Sequence, residues 1–101
     1  MPKLVPLNEM EINARISQLS GWAREEMILK KTYLMDTYMA GLAFASAVGT
    51  VCEAMDHHPM LLIGYKRVTV SFTTDDAGGT LTENDFNAAA AVDALKYPRA
   101  K

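Results

Sequence analysis

Residues 53 to 59, Glu-Ala-Met-Asp-His-His-Pro, set two adjacent imidazoles between acidic side chains and a proline. Imidazole, with an unperturbed pKa of about 6.5, both gives and takes protons near neutral pH, so a pair of them suits acid and base work. Pro59 is expected to stop the helix and disfavours helical backbone at His58, so the two rings need not project as they would on a continuous helix and can converge on one pocket. A helix C-terminus favours the charged ring, and Glu53 and Asp56 add to that bias. The same dipeptide also reads as the solvated polar end of a helix. A metal site would need a third ligand, Asp56 or Asp75, and no HExxH, cysteine pair or comparable spacing accompanies the histidines. A nucleophilic pair of Cys52 and His57 would need a reactive thiol, yet Cys52 lies on the apolar face of a helix, where thiols are packing. The dipeptide alone leaves these readings open.

The elements that must position these side chains follow from periodicity and caps. Leu7 to Leu19 predicts a first helix, with Asn8 and Glu11 as a capping box and Leu7 stapled onto Ile12. Gly21 breaks it, and WAREEMILKKTYL predicts two short strands joined near Glu25 and Glu26. Asp36 is the expected N-cap of a central helix in which Tyr38, Leu42, Ala45, Val48, Cys52 and Met55 recur at helical spacing. Met39, Phe44, Ala47 and Val51 make that helix apolar nearly all round, so it needs cover on more than one side. MLLIGY and RVTVSFTT predict two more strands, the second alternating Val68, Val70 and Phe72 with Thr69, Ser71 and Thr73. DDAGG reads as a turn. Leu81, Thr82, Asp85 and Phe86 form a staple and capping box that opens a last helix towards Leu95, with Pro98 beyond its end.

The chain has 101 residues, half of them apolar and 22% charged, which predicts one domain spanning residues 1 to 101. A domain of this size buries only about 60 to 65% of its unfolded surface, so association with copies of itself is expected. The formal charge is −2 and Lys and Arg are scattered, which excludes a basic stripe for direct nucleic-acid binding. Cys52 is the lone cysteine, residues 1 to 20 lack the apolar core of a signal peptide, and the cytoplasm is the expected compartment. The uncharged stretch from Thr37 to Cys52 is shorter than the ~20 residues a bilayer requires and is rich in Gly, Ser and Thr, so no membrane span is expected.

Glu53, His57-His58-Pro59, Tyr65, Asp75 and Asp85, in that order and spacing, resemble the signature of the pterin-4a-carbinolamine dehydratases. LSGWAREE around Trp22, the segment from Leu29 to Pro59, and TTDDAGGTLTENDF are also similar to that family, so the resemblance covers roughly residues 8 to 95. It implies an α+β fold: a four-stranded antiparallel sheet with three helices on one face, in the order α-β-β-α-β-β-α, as the periodicity independently suggests. It implies a homodimer or homotetramer that dehydrates 4a-hydroxytetrahydropterin, the product left by aromatic amino acid hydroxylases, to quinonoid dihydropterin. No metal or organic cofactor is implied, the pterin being the substrate. On this resemblance His57 and His58 are catalytic, and Glu53, Asp56, Thr74 and Asp75 line the pterin. Tyr65 and Asp85 also match; Tyr65 reads first as a strand residue packing at the sheet edge, and Asp85 first as the N3 member of the α-helical capping box.

The chain departs from the family at three points. Asp75 stands where the family carries a third histidine, Thr80 lengthens the glycine turn, and Met60-Leu61 replaces an acidic residue and an aromatic found in some relatives. An ionised carboxylate accepts protons but does not donate them, and beside either histidine it would favour imidazolium. Relatives of this fold also serve as a dimerisation cofactor for a homeodomain transcription factor and as a chaperone-like factor for a carbon-fixing enzyme. A protein-binding or assembly module, with weak or no catalysis, is therefore the alternative expectation.

Overall fold

The computed structural model describes residues 5 to 95. It is an α+β structure with the elements α1 (Glu9–Ile16), β1 (Ala23–Glu25), β2 (Ile28–Leu34), α2 (Tyr38–Ala54), β3 (Met60–Gly64), β4 (Arg67–Phe72) and α3 (Glu83–Asp93). The four strands form one antiparallel sheet in the order β1-β2-β4-β3, with β4 and β2 central.

Local chemistry sets most boundaries. Asn8 Oδ1 accepts the Glu11 N–H at 2.8 Å and Glu11 Oε1 accepts the Asn8 N–H at 2.9 Å, the expected reciprocal box. α1 is shorter than the expected span: after Ile16 the chain tightens into i to i+3 bonds from Gln18 to Arg15 and from Leu19 to Ile16. The N-cap of α2 is Thr37 rather than Asp36. Thr37 is extended and its hydroxyl accepts the Ala40 N–H at 3.0 Å, leaving Asp36 one position outside. The β1–β2 turn carries Glu26 at φ 54, near the expected junction. β3 stops at Gly64, so Tyr65 is not a strand residue packed at the sheet edge; it lies in the exposed Tyr65-Lys66 turn, with the Lys66 ammonium 5.2 Å from its ring. β4 likewise stops at Phe72, and the expected DDAGG turn begins as a single 3-10 turn at Asp75–Ala77, then Gly78 and Gly79 at positive φ. Thr82 and Asp85 form the capping box that opens α3. Pro98 lies outside the described residues.

Alternation decides the sheet's two faces. Leu29 and Tyr33 on β2 pair with Phe72 and Val68 on β4, and all four, with Val70, are buried under the helices. α2 supplies Phe44, Ala45, Val48 and Cys52 to that core, α3 supplies Phe86, Ala88, Ala89 and Val92, and α1 supplies Ile12. Trp22, Phe72, Tyr33 and Phe44 form an aromatic chain, with ring centroids 5.9 Å apart for Trp22–Phe72, 6.3 Å for Trp22–Tyr33 and 4.8 Å for Tyr33–Phe44. The opposite face is open and carries Thr32 and Thr69, hydrogen-bonded at 2.7 Å, beside exposed Leu34, Met60 and Leu62. No helix among the described residues is long and apolar enough to cross a membrane.

The register places Lys31 on the helix-covered face, where a cation needs partners. It finds Asp93 Oδ1 and the Ser20 carbonyl at 2.9 and 2.8 Å. Asp93 also accepts from Trp22 Nε1 at 2.9 Å and from the Tyr33 hydroxyl, so one carboxylate on α3 gathers three donors from the sheet side. Burial pushes the Asp93 carboxyl upward, but the donors from Tyr33, Lys31 and Trp22 outweigh it and hold it below the usual value. Asp93→Ala is expected to cost about 2 kcal/mol in urea unfolding, because three donors lose their acceptor. Since the folded-state pKa is the lower one, this contribution is complete above the ordinary carboxylate range and is lost as pH falls through the depressed value. The same titration on Asp93→Asn should show a shallower acid loss; an unchanged slope would contradict the clasp.

Candidate active site

α2 does not end at Pro59. It ends five residues earlier, at Ala54, in a backbone arrangement that aims both histidines. Asp56 adopts φ 52, its N–H bonds to the Glu53 carbonyl at 3.1 Å, and the His57 N–H reaches back to the Cys52 carbonyl at 3.1 Å. This is the Schellman pattern, with an aspartate where glycine is usual; short polar side chains tolerate the left-handed region best after glycine. The chain therefore turns sharply at Asp56. His57 is folded back against the core while His58 faces outward, and Pro59 leads into β3.

The two rings have different partners. His57 is buried, stacks on Phe72 with ring centroids 5.8 Å apart and planes 15° from parallel, and its Nε2 lies 2.7 Å from Asp85 Oδ1. Asp85 has no exposed surface. Its Oδ2 accepts the Thr74 hydroxyl at 2.7 Å and the Thr82 N–H at 2.9 Å. His58 is 58% exposed, and its Nε2 lies 2.5 Å from Glu53 Oε1 one helical turn back on α2. Its pKa is raised, chiefly by the hydrogen bond to Glu53; desolvation opposes this, and the charges of Glu53 and Asp56 add to the rise. An ionised carboxylate at Asp85 would only accept hydrogen bonds, and towards it His57 would present Nε2–H. Among the described residues Nδ1 has no hydrogen bond and no buried side-chain nitrogen or oxygen lacks a partner, so Nδ1 reaches the surface.

The remaining sequence-derived candidates fall into two groups. Thr74 is buried, with its hydroxyl committed to Asp85 and Thr82, so it reaches the site through Asp85. Asp75 is exposed at the start of the 3-10 turn, and among the described residues its carboxylate has no hydrogen-bond or ion-pair partner, neither histidine included. Asp56 contributes charge near His58 and the backbone turn. Tyr65 lies at the far end of β3 from the histidines. Asp85 does double duty, completing the α3 capping box and holding His57. Cys52 is buried, and burial pushes its thiol up, which suits packing rather than nucleophilic chemistry. Among the described residues no three His, Cys, Asp or Glu side chains converge as metal ligands. Sequence reasoning missed Phe72 as the stacking surface and Thr82 as more than a cap; the alternation of β4 and the capping-box spacing were the signals present.

Asp56→Gly is expected to keep thermal stability at or above that of the parent, because glycine adopts this φ freely. Asp56→Val should lose about 1–2 kcal/mol, because a β-branched residue resists it. Equal losses in both would show that the carboxylate, not the turn, is what the position requires.

Comparison with known proteins agrees with the site's spacing. A family model described as pterin 4 alpha carbinolamine dehydratase matches residues 5–95. A protein of Roseiflexus castenholzii that carries the provisional name pterin-4-alpha-carbinolamine dehydratase is 39% identical over 89 residues, covering 88% of this chain and 95% of its own. One of Chloroflexus aurantiacus with the same provisional name is 40% identical over 95 residues, covering 94% and 98%. Among solved structures, the Brucella melitensis transcriptional coactivator/pterin dehydratase superimposes with a TM-score of 0.82 at 26% identity, over 89% of this chain and 97% of that one. A pterin dehydratase-like protein identified as a RuBisCO assembly factor in the alpha-carboxysome shares the fold at 24% identity, with a TM-score of 0.57 over 72% and 83% of the two chains. The histidine pair, the carboxylates that hold it and the sheet that carries them thus belong to a member of the pterin-4a-carbinolamine dehydratase family.

Proposed function

We propose that this protein dehydrates 4a-hydroxytetrahydropterin to quinonoid dihydropterin without a metal or organic cofactor. The observation that carries the reading is the division of labour between the two histidines: one buried and oriented by Asp85, one exposed and biased towards imidazolium by Glu53. In the reaction the C4a–O bond breaks as the departing hydroxyl gains a proton and leaves as water. The neighbouring ring nitrogen loses its proton, and its electron pair forms the new double bond to C4a. His58, biased towards its charged form, is suited to donate; His57, with Nε2–H on Asp85, offers Nδ1 as acceptor. A rigid site that holds both groups against one substrate converts two solvent-mediated transfers into local ones. Association into a homodimer or homotetramer accompanies this reading, supported by β3 as an unpaired sheet edge and by exposed Leu34, Met60 and Leu62 on the open face.

A second reading, a protein-binding or assembly module, rests on Asp75, which stands at the family's third-histidine position and touches neither histidine. The neighbouring fold described as a RuBisCO assembly factor supports that class of role.

The test is the decay of freshly generated 4a-carbinolamine between about pH 6 and 9. The dehydratase reading expects acceleration by the purified protein and its loss, by on the order of 10² or more, on replacing both histidines with alanine. Because Glu53 raises the His58 pKa, activity should fall as pH rises through that raised value, and Glu53→Gln should move this alkaline limb to lower pH. An unchanged spontaneous rate throughout would reject the dehydratase reading. A gain with Asp75→His would then show a competent pocket lacking its third histidine, whereas inactivity in both, with a stoichiometric protein partner, would favour the binding module.

A further inference from the structure

We propose that Thr74 and Thr82 are positioning residues whose hydroxyls form a one-way hydrogen-bond relay, from the N-terminus of α3 to Asp85, that fixes the tautomer of His57. The direction follows from counting protons. Each hydroxyl has one proton to give. Thr74 Oγ1 gives its proton to Asp85 Oδ2 at 2.7 Å, so in its 2.9 Å contact with Thr82 Oγ1 it can only accept. Thr82 therefore donates to Thr74, and its own oxygen accepts the Asn84 N–H at 3.2 Å. Oδ2 also accepts the Thr82 N–H at 2.9 Å, which leaves Oδ1 as the oxygen that faces His57 Nε2.

The relay is buried and fully paired. Thr74 and Thr82 are 3% and 2% exposed and Asp85 is 0% exposed, and no buried side-chain polar atom among the described residues lacks a partner. At this depth a missing hydroxyl would leave Asp85 short of a donor and free to rotate away from His57 or to take up the ring's proton. Three segments meet here: Thr74 ends the strand side of the glycine turn, Thr82 caps α3, and His57 follows α2. The helix cap is thus part of the machinery that presents Nδ1 to the site. Neither threonine touches that nitrogen, so both act through Asp85.

The mechanistic consequence rests on the dehydratase reading, but the tautomer itself does not. Long-range ¹⁵N–¹H spectra of the imidazoles at about pH 8 report it directly. The wild type should show His57 as the Nε2–H form alone. Thr74→Val keeps the shape without the hydroxyl and should give a mixture of tautomers, with kcat about tenfold lower and KM within about twofold; Thr74→Ser should restore both. Should Thr74→Val fail to fold, Thr74→Ala removes the same donor with less bulk, and the same mixture is expected. An Nδ1–H form in the wild type, or a variant that loses melting temperature while keeping the pure Nε2–H form, overturns the relay. If no dehydratase activity exists in any variant, the spectra still decide.

Discussion

A carboxylate with no exposed surface is tolerable only if its acceptor positions are filled, and in this protein that requirement joins three parts of the chain. Asp85 takes a backbone donor from its own helix cap, a hydroxyl from the end of the β4 segment and an imidazole from the turn after α2. Withdrawing a partner from a buried charge costs about 3–5 kcal/mol, so these three segments are not free to move independently. The sheet and its aromatic chain supply the surroundings: Phe72 is both a core residue against Trp22 and the surface on which the His57 ring lies flat. Packing and hydrogen bonding thus restrain the same ring from two directions.

The same geometry separates two neighbouring histidines into different chemical species. A continuous helix would have pointed them about 100° apart with similar exposure. The left-handed turn at Asp56 instead sends one ring inward and leaves the other at the surface beside Glu53. Environment, rather than residue type, differentiates the pair: one ring is buried and held by Asp85, the other exposed and biased towards its cation by Glu53. Asp93 performs a related structural task at the other end of α3, where one carboxylate compensates a lysine, an indole and a phenol.

Much of this was legible in the residues. Both capping boxes, the alternation of β4 and the apolar run of α2 are local signals, and the elements follow them in type and order. Thr37 displaced Asp36 as a cap because both carry suitable acceptors in adjacent positions, which local reasoning cannot separate. Tyr65 was misplaced because strand propensity extends through an aromatic that the tight connection to β4 instead needs for its turn. The end of α2 was assigned to Pro59, since aspartate is a weaker signal than glycine for a left-handed cap. The histidines, Glu53 and Asp85 could be picked out by type and spacing. Their division into pairs could not, because His57 and Asp85 are 28 residues apart and meet only through the packing of α3 beside α2.

The most direct test of Asp85 as the group that orients His57 is a comparison of Asp85→Asn with the parent. The amide keeps an oxygen to cap α3 but presents a neutral group to the imidazole. The prediction is a folded protein with kcat for carbinolamine dehydration lower by on the order of 10² and a small change in melting temperature. Activity within about twofold of the parent, in a protein of equal stability, would contradict the account.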